Sequence, residues 1–102
     1  QEKGPVLVTI DYEIDIKHSK EFKDAMEGVR LARLRDGALH WGLFNDTENS
    51  GRFVENFIVE SWAEHLRQHD RVTQADKAIQ ENAWSFHIGE SKPKVSHFIN
   101  VV

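Results

Sequence analysis

Residues 53–79 read FVENFIVESWAEHLRQHDRVTQADKAI, and within them the chain passes from a strand pattern to a helical one. Arg52 to Glu60 (RFVENFIVE) is rich in β-branched and aromatic residues and reads as a strand. Ser61 follows as a helix cap, because its hydroxyl can accept from a backbone N–H of the first turn. Glu64, three residues on, completes an S-x-x-E capping box. The helix runs through Trp62, His65, Leu66 and His69. A break near Asp70 and Arg71 precedes Thr73 to Phe86, where Ala75, Ala78, Ile79, Asn82, Ala83 and Phe86 keep helical spacing.

Upstream, Asn45 to Gly51 (NDTENSG) is a run of turn formers, and Ala38 to Phe44 (ALHWGLF) is aromatic and alternating, so an antiparallel hairpin is predicted over 38–60. Further back, Val6 to Ile14 alternates, with Val6, Val8, Ile10, Tyr12 and Ile14 on one side: a half-buried strand. From Asp15 to Arg35, Phe22, Ala25, Met26, Val29 and Ala32 form one helical stripe, with the charges mostly outside it. Gly37 supplies a stop that tolerates positive φ, after Arg33 and Arg35 at the negative helix end. Downstream, Gly89 to Lys94 is a loop and Val95 to Val101 a last strand. This order predicts an α+β, ferredoxin-like βαββαβ fold, a four-stranded antiparallel sheet with helices on one face.

The 102 residues make one small domain, spanning 1–102, since two would each lack a core. A hydrophobic fraction of 39%, with three Trp and six Phe, excludes a disordered chain. No apolar run approaches the roughly 20 residues of a membrane span. The start at Gln1, without Met, is what a piece trimmed from a longer chain would show, and membrane spans can lie upstream. With no cysteine there are no disulfides, thiolate nucleophiles or Cys-based metal sites. A formal charge of -4 argues against nucleic acid as a partner. The sheet face away from the helices would carry Leu7, Phe44, Phe98 and either Phe53 or Val54, depending on register. Such a patch predicts a homodimer closed sheet to sheet.

The strand pattern, the hairpin and the 53–79 block resemble the dimeric α+β barrel domains related to antibiotic biosynthesis monooxygenases. More narrowly, GPVLVTIDYEID, RLARLRDGALHWGLFND and GRFVENFIVESWAEHLRQHDRVTQAD are similar to the C-terminal domain attached to major-facilitator transporters of the transmembrane secretion effector family. The resemblance runs from about Gly4 to Ile99. It implies a dimeric barrel that follows the transporter portion and lies on the cytoplasmic side, at the inner face of the membrane. It also encourages the expectation of a small-molecule ligand.

Several residues can carry chemistry. His65 and His69, four apart on a helix, share a face and could hold a divalent cation or haem, with His87, His97 or Asp70 as a third ligand. The competing reading is that one hydrogen-bonds and the other packs near Trp62. The H-E-x-x-H glutamate is missing, as are phosphate-binding and G-x-S-x-G motifs, so metalloprotease, nucleotide-binding and serine-hydrolase readings have no support. The resemblance implies a second possibility: cofactor-free monooxygenases of this superfamily bind a phenolic substrate with an Asn, a Trp and a Tyr, here Asn56, Trp62 and Tyr12. Tyr12 lies earlier in the chain than the family places its tyrosine, and packing is the plainer role for Trp62. His40 and His97 are candidates for a polar point in a cavity, although buried histidines mostly have ordinary partners. Arg30, Arg33 and Arg35 read as a solvated helix end.

The expectation is thus an accessory or small-molecule-binding domain, non-catalytic and without cofactor. Its cavity would lie near Trp41, Trp62, His65 and His69, with Tyr12, His40 and Asn56 as further ligand-binding candidates. The alternatives are a cofactor-independent monooxygenase acting on an aromatic compound and a metal or haem binder through His65 and His69.

Overall fold

β1 (Val6–Glu13) is the strand around which the sheet is built, because both its edges are occupied. It pairs antiparallel with β3 (Arg52–Val59) on one side and β4 (Lys94–Ile99) on the other. β2 (His40–Asn45) adds to the outer edge of β3, giving the order β2-β3-β1-β4. The computed structural model describes residues 4–89 and 91–102. α1 (Ser19–Arg35) connects β1 to β2, while α2 (Trp62–Arg71) and α3 (Gln74–Trp84) connect β3 to β4. This is the expected βαββαβ ferredoxin-like arrangement.

The register assigns the faces. Val6, Val8, Ile10 and Tyr12 of β1 are buried, as are Phe53, Glu55, Phe57 and Val59 of β3, while the residues between them are half-buried. Since Tyr12 lies opposite Phe53 and Val8 opposite Phe57, these two sets share the helix-covered face. α1 seals that face with Phe22, Met26, Val29 and Ala32, four of the five positions of its predicted stripe. Phe22 is fully enclosed by rings, 5.1 Å from Tyr12 and 5.2 Å from Phe53 between centroids.

Local chemistry sets the ends of the helices. Asp15 caps a short 3-10 turn, Ile16–His18, by accepting from the Lys17 N–H, so α1 begins at Ser19 rather than directly after Asp15. Gly37 adopts φ +118°, the left-handed stop expected of it. A side chain there would also meet Glu64 Oε2 at 3.1 Å and Gln68 Nε2 at 3.3 Å, so the α1 terminus and α2 approach over a residue without Cβ. The other sheet face holds Leu7, Phe44, Val54, Ile58 and Phe98; the register therefore selects Val54, not Phe53, for that side.

Candidate functional site

Between the helices and the sheet lies a cavity of about 580 Å³. Its apolar wall is drawn from every layer: Val8 and Ile10 of β1, Val29 of α1, Phe57 of β3, Ile79 of α3 and Val95 of β4. Trp62, His65 and His69 from α2, His97 from β4 and Arg33 from α1 line it as well. Trp62, His69, Val95 and His97 remain exposed, so the cavity opens between α2 and β4.

The i, i+4 spacing of His65 and His69 does place both imidazoles together, with Nε2 atoms 3.3 Å apart. His97 comes in from the sheet, and its ring centroid lies 4.8 Å from that of His65. Trp62 covers this group, 5.3 Å from His65 and 5.5 Å from His97 between centroids. Burial, then the neighbouring His69 and His97, push the His65 pKa down to about 4, so His65 is neutral at pH 7. Among the described residues no three His, Asp or Glu side chains converge as a metal site. His87, considered as a third ligand, instead accepts from the Glu13 N–H at 3.0 Å through Nδ1.

Beside the cavity is a buried polar network that the sequence reading missed. Glu55 is 0% exposed, and its carboxylate accepts from the Tyr12 hydroxyl at 2.7 Å, Trp41 Nε1 at 2.9 Å and Arg33 Nε at 2.9 Å. Trp84 Nε1 donates in turn to the Tyr12 oxygen at 3.2 Å. Burial, and then the Glu55 charge, raise the Tyr12 pKa, so the phenol stays protonated. For Arg33 burial works against the charge, but the Glu55 carboxylate more than offsets it and the net pKa is raised. Arg33 also stacks over the Phe57 ring, 5.0 Å from its centroid. The available signal was a carboxylate at a buried parity of β3, between Phe53 and Phe57. Arg33 offered none, since a cation near a helix C-terminus is usually solvated; Arg30, by contrast, does pair with Glu27 in the open, while Arg35 pairs with buried Asp76.

The structure thus brings Trp62, His65, His69 and His97 to one cavity. Tyr12 and Trp41 do not line it: both side chains are committed to Glu55. Asn56 and His40 stand on the opposite sheet face, because Asn56 pairs with Thr9 and Gly42, and His40 with Ile58. Asn56, Trp62 and Tyr12 therefore do not converge on a common substrate volume.

A family model described as transmembrane secretion effector matches residues 1–102. No curated protein matches the sequence. Among solved structures, a conserved protein from Methanosarcina mazei Go1 superposes with a TM-score of 0.80 at 15% identity, covering 97% of this chain and 95% of that one. A candidate antibiotic biosynthesis monooxygenase from Caulobacter crescentus CB15 gives 0.79 at 15% identity, with 98% and 92% covered. A further antibiotic biosynthesis monooxygenase gives 0.70 at 18% identity, with 95% and 99% covered. At these identities the likeness establishes a shared fold, the one the sequence resemblance implied.

Proposed function

The chain belongs to the transmembrane secretion effector family, and from that premise we propose that it is a non-catalytic, small-molecule-binding accessory domain of an exporter, a single homodimeric unit on the cytoplasmic side. The observation that carries the reading is the cavity of about 580 Å³. Its size falls within the roughly 300–1,000 Å³ of small-molecule sites. A wall that combines aliphatic and aromatic side chains with polar groups set among them is what such sites use to hold and orient a ligand.

The same geometry favours binding over catalysis. A cofactor-free oxygenase must gather its orienting groups around one substrate, and here Asn56 lies across the sheet from Trp62. The Tyr12 hydroxyl, donated to Glu55 and held protonated, is unsuited to act as a base.

Trp62 and Trp84 both line the cavity and report on its contents. Titration with neutral 2-naphthol is expected to quench their fluorescence saturably, and Ile79→Trp, which extends an indole into the void, is expected to weaken the binding in a folded protein. Saturable quenching with an affinity unchanged by Ile79→Trp would place the ligand elsewhere. Oxygen electrode traces with the same phenol should stay at background, whereas uptake that disappears in Trp62→Phe would establish the oxygenase alternative.

A further inference from the structure

The polar part of the cavity wall holds more hydrogen-bonding capacity than the protein uses. The Arg33 guanidinium has five N–H donors. Its Nε and Nη2 serve Glu55, and Nη1 has no acceptor among the described residues. His65, only 6% exposed, is held between the amide of buried Gln68 and the ring of His69, its Nε2 3.3 Å from that of His69. Arg33, His65, His69 and His97 thus set polar groups into the wall of a void that also presents Val8, Val29, Phe57 and Ile79.

We propose that the cavity takes an organic acid, its apolar body against Val8, Val29, Phe57 and Ile79 and its anionic group received by Arg33 and the imidazoles of His65, His69 and His97. The inference rests on the cavity being a ligand site, and it names the ligand's chemical class. The charges around the void agree with it. From α1 the cavity meets Arg33 and Asp36, from α2 His65 and His69, from α3 Asp76 and Lys77, and from β4 His97. Glu55 of β3 stands behind Arg33.

Two of these three carboxylates, Glu55 and Asp76, are paired with arginines. Glu55 is bound to Arg33, Tyr12 and Trp41, Asp76 to Arg35, and Asp36 leans on Asp76, its pKa raised by burial and then by that neighbour's charge. Besides these pairs the void faces the Arg33 guanidinium, Lys77, the Asp36 carboxylate and three imidazoles, of which His65 and His69 already meet through Nε2.

Proton linkage follows. In the empty site His65 is held neutral by burial, by the other two histidines and, more weakly, by the Arg33 charge. An anion at the same place favours imidazolium and draws a proton onto the cluster, so affinity for the anion rises as pH falls from 7.5 to 5.5.

Isothermal titration calorimetry with naphthalene-2-sulfonate, anionic at every pH used, and naphthalene-2-sulfonamide, neutral throughout, separates this linkage from titration of the ligand. The sulfonate is expected to bind at least about tenfold tighter at pH 5.5 than at pH 7.5, with a buffer-dependent enthalpy that reports proton uptake. The sulfonamide should bind more weakly and without pH dependence. His69→Gln and His97→Gln, both at exposed positions, should shrink the pH gain of the sulfonate, while the affinity of the sulfonamide stays independent of pH in either variant. Equal affinities, or a sulfonate affinity independent of pH, overturn acid recognition while leaving the cavity a ligand site. No binding of either probe removes the ligand-site reading itself.

Discussion

Glu55 shows how much one side chain can decide. A fully buried carboxylate is tolerable only when its charge and lone pairs are met, and Arg33, Tyr12 and Trp41 meet them from α1, β1 and β2. The residue thereby ties one helix and two strands to β3. Glu55→Gln would leave the Arg33 cation without its counter-charge in a buried setting, at a cost of roughly 3–5 kcal/mol. Tyr12→Phe removes one donor to an otherwise satisfied carboxylate and the acceptor of Trp84 Nε1, and costs about 1–2 kcal/mol. Urea unfolding of the two variants should show that order, and a Glu55→Gln protein as stable as Tyr12→Phe would mean that Arg33 finds water instead. The network was half legible in the sequence. Strand alternation puts Glu55 on the buried side with Phe53 and Phe57, but nothing along the chain says that an arginine 22 positions away reaches it.

At the scale of elements, the two helices that follow β3 begin with similar signals and end up differently. At Ser61 the hydroxyl accepts from the Glu64 N–H at 3.1 Å, yet the Glu64 carboxylate turns to Arg67 and Arg71, leaving the predicted box half closed. At Thr73 both halves form: the hydroxyl accepts from the Asp76 N–H, and the Asp76 carboxylate accepts from the Thr73 N–H. The sequence shows an oxygen-bearing cap and an acid three residues on in each case. Which way the acid turns depends on cations that the helix brings round at i+3 and i+7, a matter of competition rather than of motif. Thr73→Ala should therefore lower stability by about 1 kcal/mol. Gly37→Ala should lower it by roughly 1–3 kcal/mol, because φ +118° is strained for a residue with Cβ. Only the second change also presses on Gln68 at the cavity wall, so only Gly37→Ala should weaken 2-naphthol binding; a Thr73→Ala protein that loses binding equally would show α3 fraying into the site.

For the whole molecule, the decisive feature is that the sheet has two unequal faces. One is sealed by the helices; the other shows Phe44 at 61% and Phe98 at 54% exposure, with Leu7, Val54 and Ile58 half-buried between them. That face was legible because strand parity is a period of two, and the only ambiguity, Phe53 or Val54, was a matter of register that the β1–β3 pairing resolves. The cavity was less legible, since its lining comes from six separate elements whose spacing no local pattern encodes. Large apolar side chains gathered on an open sheet call for a partner surface, and a second copy meeting it by twofold symmetry is the simplest one. Sedimentation velocity should then give a dimer at tens of micromolar, and Phe44→Asp combined with Phe98→Asp should give a monomer with an unchanged far-ultraviolet spectrum. A wild-type monomer at that concentration would refute the sheet-to-sheet dimer. Because the cavity lies on the other side of the sheet, the monomeric variant should still bind 2-naphthol within about twofold of wild type, as expected for sites that share no contacts. A large loss in a folded monomer would mean instead that the partner subunit helps to shape the cavity.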